Sequence, residues 1–222
     1  MLYLEQVKLN MIKPEQKNIE KMAKELDKIS KYNTLLSRVI NEIMVNQQIS
    51  YEKRHWFEEE TGSYPFMPLP LSVQMSSMLL AKKSLAKKKN KIRFLDAGCG
   101  CGNTILMARA VDLAQIYHGI EFCNDTADKA EAILRTDRHP SIRIFREDIM
   151  TFKNYERYDI IYYYCPFCNK ELQAKFEKLV EDQMRVGALL MPFMKLNNSI
   201  EKDDRFESID GVYDRMFIKI KD

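Results

Sequence analysis

The sequence predicts a doubly wound α/β domain with a mostly parallel seven-stranded sheet and an N-terminal helical cap. Three observations carry this. Short apolar runs alternate with helix-periodic stretches from Lys91 onward, a glycine-rich turn follows the first of those runs, and an Asp-Gly step separates the last two. Seven glycines and 7 prolines in 222 residues, with 45% hydrophobic and 30% charged residues, exclude collagenous and low-complexity classes.

The first element reads as Ile92 to Leu95, a strand that runs at once into glycines. Thr104 to Leu113 has helical spacing, Ile116 to Glu121 reads as a strand, Ala127 to Thr136 as a helix and Ile142 to Phe145 as a strand. Tyr158 to Tyr164 (strand), Glu171 to Met184 (helix) and Ala188 to Pro192 (strand) continue the pattern. Connections of a few residues between such elements imply parallel strands with helices on both faces. Arg205 to Ile209 and Arg215 to Ile220 flank Asp210-Gly211, a hairpin signal that supplies an antiparallel strand.

Ahead of this core, apolar residues recur at three-to-four-residue spacing from about Glu15 to Gln48, with a break at Ser30 to Thr34, which predicts two helices. Aromatics and prolines between Tyr51 and Leu71 predict a loop with aromatic anchors, and Leu71 to Lys89 returns to helical spacing. The division expected is a helical cap and aromatic loop over residues 1–67 and the α/β domain over 68–222. The N-terminal helices and the aromatic loop from Trp56 to Phe66 are the expected substrate-selecting cap, with Asn197 to Asp204 as a second rim.

Thirty-five Lys and Arg against 32 Asp and Glu leave a net charge of +3, too small by itself to argue for nucleic acid. Residues 1–90 carry 15 basic and 10 acidic side chains, so the excess sits at the front. Lysines 82, 83, 87, 88, 89 and 91 precede the first strand, at the amino end of the sheet, where a solvated helix terminus is expected rather than a feed to the site. No apolar run approaches the roughly 20 residues of a membrane span and no signal-peptide pattern is present, so a soluble cytoplasmic protein is expected. Five cysteines, an odd number, argue for reduced thiols.

The chemistry lies in Leu95-Asp96-Ala97-Gly98-Cys99-Gly100-Cys101-Gly102-Asn103. Alternate glycines let the backbone turn tightly and a ligand approach it. Asn103 occupies the place where a dinucleotide fingerprint has its third glycine, and Asp96 would repel a pyrophosphate but attract an ammonium. A cationic, phosphate-free ligand is favoured over NAD.

This stretch resembles motif I of the class I S-adenosylmethionine-dependent methyltransferases, which have a Rossmann-like fold. Later landmarks are similar to that family's in order: His118-Gly119-Ile120-Glu121, Arg146-Glu147-Asp148-Ile149, Tyr158 to Phe167, and Arg185 to Leu190. The resemblance implies that S-adenosyl-L-methionine is held by Asp96, Gly98, Gly100, Cys101, Gly102, Asn103, Glu121, Asp148, Ile149 and Tyr164. Glu121 would accept both ribose hydroxyls, Asp148 the adenine amino group, and Ile149 would pack on the ring.

Tyr164-Cys165-Pro166-Phe167 is the candidate acceptor loop. It is similar to the Asp/Asn-Pro-Pro-Tyr/Phe loop of amino-methyltransferases, with Tyr164 and Cys165 replacing the acid or amide and the first proline. The expected activity is methyl transfer to an acceptor of unidentified class, whether protein, nucleic acid or small molecule. The departure in the loop keeps two alternatives open, adenine amino-methylation and a catalytically silent cofactor-binding sensor or scaffold. Different chemistry on the same cofactor is a weaker third. Glu58-Glu59-Glu60 would suit a basic or amide-bearing protein substrate. Cysteines 99, 101, 123, 165 and 168 all follow strands, hence share one sheet edge. Cys165-x-x-Cys168 and Cys99-x-Cys101 invite a zinc or redox reading, set aside because Cys99 and Cys101 sit in the glycine loop, where thiols serve as small wall residues; no resident metal is expected. Of the histidines, His55 could approach the site from the cap, and His118 and His139 are scattered.

Overall fold

The structure is a computed structural model that describes residues 56–64, 71–86, 91–135, 141–194, 198–210 and 215–222. The expected cap helices between Glu15 and Gln48, His55, His139, Lys87 to Lys89 and the 67/68 division lie outside these residues.

Five parallel strands form the centre: β1 Arg93–Ala97, β2 Ile116–Ile120, β3 Ile142–Phe145, β4 Ile160–Tyr164 and β5 Leu189–Phe193. The hairpin β6 Phe206–Asp210 and β7 Arg215–Lys219 closes one edge, giving the order β3-β2-β1-β4-β5-β7-β6. Only β7 runs antiparallel to β5, and β6 to β7. Among the described residues, α1 Leu71–Ser84 precedes β1, and α2 Asn103–Ala110, α3 Asn124–Leu134 and α4 Lys170–Gln183 connect successive parallel strands. Every expected strand and core helix is present, β3 with the expected bounds and the others displaced by a few residues at one or both ends.

The central strands are apolar on both sides because both are covered. Phe94, Tyr117, Ile160, Tyr162 and Leu189 face Met78 and Ala81 of α1 and Ile105 and Ala108 of α2. Their neighbours in sequence, Leu95, Ile161, Tyr163 and Leu190, face Phe176 and Val180 of α4. The period of two thus divides each strand between two cores.

The amino ends of the strands are stitched by side chains. Asp159 accepts from the Arg93 backbone N–H at 2.9 Å and pairs with Arg185. Lys82 donates to Val111 O at the carboxyl end of α2 (2.6 Å), and buried Lys219 donates to Met184 O (2.9 Å) beyond α4, both favourable ends of a helix dipole for a cation. Lys82 therefore has a structural role at the edge opposite the glycine loop. The strand order reverses between β1 and β4, whose register pairs Asp96 with Tyr162. Ligands of open α/β sheets bind at the carboxyl ends of strands at such a switch point.

Candidate functional site

A cavity of about 380 Å³ opens there. The glycine loop forms one wall. Gly98, Gly100 and Gly102 all have positive φ (83°, 53° and 82°), a region in which a Cβ is strained. Gly98 N–H and Cys99 N–H both donate to Ile120 O, at 3.0 and 2.9 Å, so the turn is anchored on the end of β2.

Glu121 follows β2 and is buried. Its Oε2 accepts from Gly100 N–H (3.0 Å) and its Oε1 from Cys123 N–H (2.8 Å). The carboxylate clamps the glycine loop and still has lone pairs for a ligand. Burial pushes Glu121 up, and the N–H groups of Cys123, Gly100 and Phe122 pull it back. Asp96, almost wholly enclosed, is held well above the usual carboxylate range by burial and by the Glu121 charge, partly offset by the Thr104 hydroxyl. Asp148 lies on the rim after β3, its Oδ1 accepting from Met150 N–H at 2.8 Å.

Four buried polar atoms in this wall have no hydrogen-bond partner: Gln74 Oε1, Asp96 Oδ2, Asn103 Oδ1 and Tyr162 OH. The Tyr162 hydroxyl is near enough to Thr104 and Gln74 to feel their dipoles without meeting hydrogen-bond geometry. Buried polar groups left unpaired are costly, and their convergence on one cavity marks a place for a polar ligand.

Of the residues expected in the site, Asp96, Gly98, Gly100, Asn103, Glu121, Asp148, Ile149 and Tyr164 line the cavity. Cys101 and Gly102 lie behind the wall. Cys101 is fully enclosed, and Gly102 is the N-cap of α2, where a Cβ would press on Leu134 Cδ1 at 3.0 Å. In the acceptor loop Tyr164, Pro166 and Phe167 reach the cavity, whereas Cys165 is turned into the core with its Sγ 3.7 Å from Phe167 O. Of the expected second rim from Asn197 to Asp204, Asn197 lies outside the described residues, Ile200 to Asp204 take no part in the wall, and Ile200 packs in the core instead. All five cysteines are free thiols, and among the described residues no group of three or more His, Cys, Asp and Glu is placed to hold a metal.

The sequence reading missed Gln74, Thr104, Phe122 and Tyr162. Phe122 carried a signal, an apolar residue directly after the strand-end acid. It stacks at 5.7 Å on Trp56, and Phe57 meets it edge-on at 5.8 Å. Trp56–Glu60, expected as loop, is one turn of π-helix. Its continuation lines the cavity through Thr61, Ser63 and Tyr64, so the expected aromatic cap does reach the site.

A donor set of carboxylates at three successive strand ends, orphaned acceptors and a glycine cradle fits S-adenosylmethionine, which offers an ammonium, two ribose hydroxyls and an adenine amino group. A phosphate-bearing ligand would find no Lys or Arg among the described residues of the wall and would face the acids Glu121 and Asp148 instead.

The chain resembles solved structures by fold. An RNA methyltransferase from Salinibacter ruber in complex with S-adenosyl-L-homocysteine superposes with a TM-score of 0.52 at 15% identity, over 70% of this chain and 95% of that one. An Escherichia coli protein described as a methyltransferase gives 0.55 at 17% identity, over 70% and 90%. A Haemophilus influenzae protein described as a methylase gives 0.52 at 13%, over 68% and 100%. No curated protein matches the sequence. The model of the protein-L-isoaspartate(D-aspartate) O-methyltransferase family matches residues 20–214. With most of its length matched and the seven-stranded sheet in place, the chain has the class I methyltransferase fold and belongs to the protein-L-isoaspartate(D-aspartate) O-methyltransferase family.

Proposed function

We propose that this protein transfers a methyl group from S-adenosylmethionine to an acceptor presented at Tyr164, Pro166 and Phe167. The convergence of orphaned buried polar atoms and strand-end carboxyl groups on the switch-point cavity carries this reading. Asp96 would take the ammonium group, Glu121 the ribose hydroxyls and Asp148 the adenine amine, with Ile149 against the ring. When bound, S-adenosylmethionine supplies an activated methyl carbon on a sulfonium. The chain's own task is to hold the nucleophile in line and dry, and the Tyr164 and Phe167 rings beside Pro166 provide an apolar floor for that.

The family name supplies the first acceptor to test, the carboxyl group of an isoaspartyl residue. Tritiated S-adenosylmethionine offered with an isoaspartyl peptide, and with lysates treated with RNase, DNase or protease, identifies the acceptor class. Calorimetric binding of the cofactor with no incorporation into any of these would make the protein a silent binder. Absence of binding would end the reading. Asp148→Ala is expected to weaken cofactor binding about tenfold, a loss of ~1.4 kcal/mol for one hydrogen bond at an exposed rim, measured in the same titration.

The buried acids give a pH dependence. Burial, and after it the Glu121 charge, hold the proton on Asp96, and the Thr104 hydroxyl is the group that favours its charged form. Folded, unliganded protein keeps the Asp96 proton at pH values where the unfolded chain has released it. More protons bound to the folded state mean that stability contributed here is present below the ordinary carboxyl pKa and declines as pH rises through the raised value. A cationic ligand favours the ionised acid, so binding should release a proton and tighten with rising pH across that window. Titrations in two buffers of different ionisation heat read this directly, and proton uptake would contradict it.

A further inference from the structure

Behind the acceptor loop, α4 buries three polar side chains, Gln173, Glu177 and Glu181, and the first two bear on the loop. Gln173 and Glu177 are one helical turn apart and both fully buried. The Phe167 backbone N–H donates to Gln173 Oε1 at 3.1 Å, and Gln173 Nε2 donates to Glu177 Oε1 at 2.8 Å. The two contacts fix the amide: its oxygen must face the N–H and its NH₂ the carboxyl oxygen. Helix α4 does not need the pair for its start, because Asn169 Oδ1 accepts from Glu171 and Leu172 N–H at 3.0 and 3.1 Å.

The loop does need it. Cys165 is held at φ 31°, in the left-handed region, a strained conformation that persists only where its surroundings enforce it. Cys165 N–H is taken by Phe193 O (3.1 Å), Pro166 has none, and Cys168 N–H goes to Gly62 O (2.9 Å). The Phe167 N–H is thus the one backbone donor in the turn that a side chain takes. Across the same peptide unit, Pro166 O accepts from Tyr64 N–H at 2.9 Å, beside the antiparallel bridge of Ser63 with Phe167. One peptide plane is therefore gripped at both ends, by α4 through Gln173 and by the cap segment through Tyr64.

We propose that Gln173, oriented by Glu177, is a positioning residue that clamps the Pro166–Phe167 peptide and thereby sets the Phe167 ring and Tyr64 at the acceptor wall. This rests on reading the Tyr164–Phe167 loop as acceptor-facing.

The test compares Q173L with the exchanged pair Q173E/E177Q, in which carboxyl and amide trade places and both hydrogen bonds can form again. Q173L is expected to speed hydrogen exchange at the Phe167 and Tyr64 amides about tenfold or more and to slow tritium transfer from S-adenosylmethionine into the accepting lysate fraction by a similar factor. Calorimetric affinity for S-adenosylhomocysteine should stay within about twofold, since Gln173 is not in the cavity wall. The exchanged pair should bring both readings back to near wild type, which a loss of packing alone would not allow. Unchanged exchange and transfer in Q173L overturns the proposal. So does an exchanged pair that is folded by circular dichroism yet recovers neither. Wild-type protein that binds no S-adenosylhomocysteine would fail the proposed function, while amide exchange would still decide the clamp.

Discussion

Glu121→Ala is expected to weaken binding of S-adenosylmethionine about 100-fold, or ~2.7 kcal/mol, the larger of the two losses at the carboxylate pair Glu121 and Asp148. The size follows from the double duty of the side chain. Each carboxylate oxygen already accepts a backbone N–H, from Gly100 and from Cys123. Alanine therefore removes the proposed acceptor for the ribose and also leaves two N–H groups in a buried place without partners, which loosens the glycine loop that walls the cavity. Glu121→Gln is no neutral control, because its NH₂ would face one of those N–H groups, and an intermediate loss is expected. Calorimetric titration with S-adenosylmethionine, on variants shown folded by circular dichroism, measures both. Wild-type affinity in Glu121→Ala would remove this residue from the site.

That double duty was not legible in the sequence, although the residue was. An acid at the end of the second strand follows from order and pattern, whereas its backbone partners depend on how Gly100 and Cys123 approach in space. The same distinction separates Gly98 and Gly100 from Gly102. The three look equivalent in sequence, but the loop turns into α2 at Gly102, which sits against Leu134 and outside the cavity wall. Gln74, Asp96 and Tyr162 come from three distant parts of the chain and meet through the register of β1 with β4 and the packing of α1 on α2, which local periodicity does not encode.

Element boundaries moved for related reasons. The strand expected from Tyr158 begins at Ile160 because Tyr158 shares a 2.8 Å hydrogen bond with His118 Nδ1 and Asp159 spends its carboxylate on Arg93 and Arg185. The helix expected from Ala127 begins at Asn124, its polar first turn anchored by Thr126 and Ala127 N–H donating to Cys123 O. Apolar pattern found the interior of each element, and polar contacts, of side chains before β4 and of the backbone at α3, mark where it starts.

Gly119→Ala should be the most destabilising single methyl group added near the site. Gly119 lies in β2 in register with Asp96, and it has ordinary φ, so the reason for glycine is space rather than backbone conformation. A Cβ there would stand 2.6 Å from Cys99 Sγ, 2.8 Å from Cys99 Cβ and 2.8 Å from Ile105 Cδ1. Ile105 is in the core of α2 and Cys99 is tied to Ile120 O through its N–H, so neither yields by swinging a free chain end. Overpacking of this kind costs about 3 kcal/mol, which for a chain of this size lowers the thermal midpoint by roughly 6–12 °C. Because the displaced residue belongs to the glycine loop, cofactor affinity should fall together with stability. Cys99→Ala removes the nearest atom, Sγ, and leaves Cβ, so the double variant Gly119→Ala/Cys99→Ala should recover part of the midpoint and more of the affinity than the single variant retains. Strict additivity of the two substitutions in the melting and binding measurements would show that the two sites do not share this contact, and the packing of the glycine loop on β2 would then need another source.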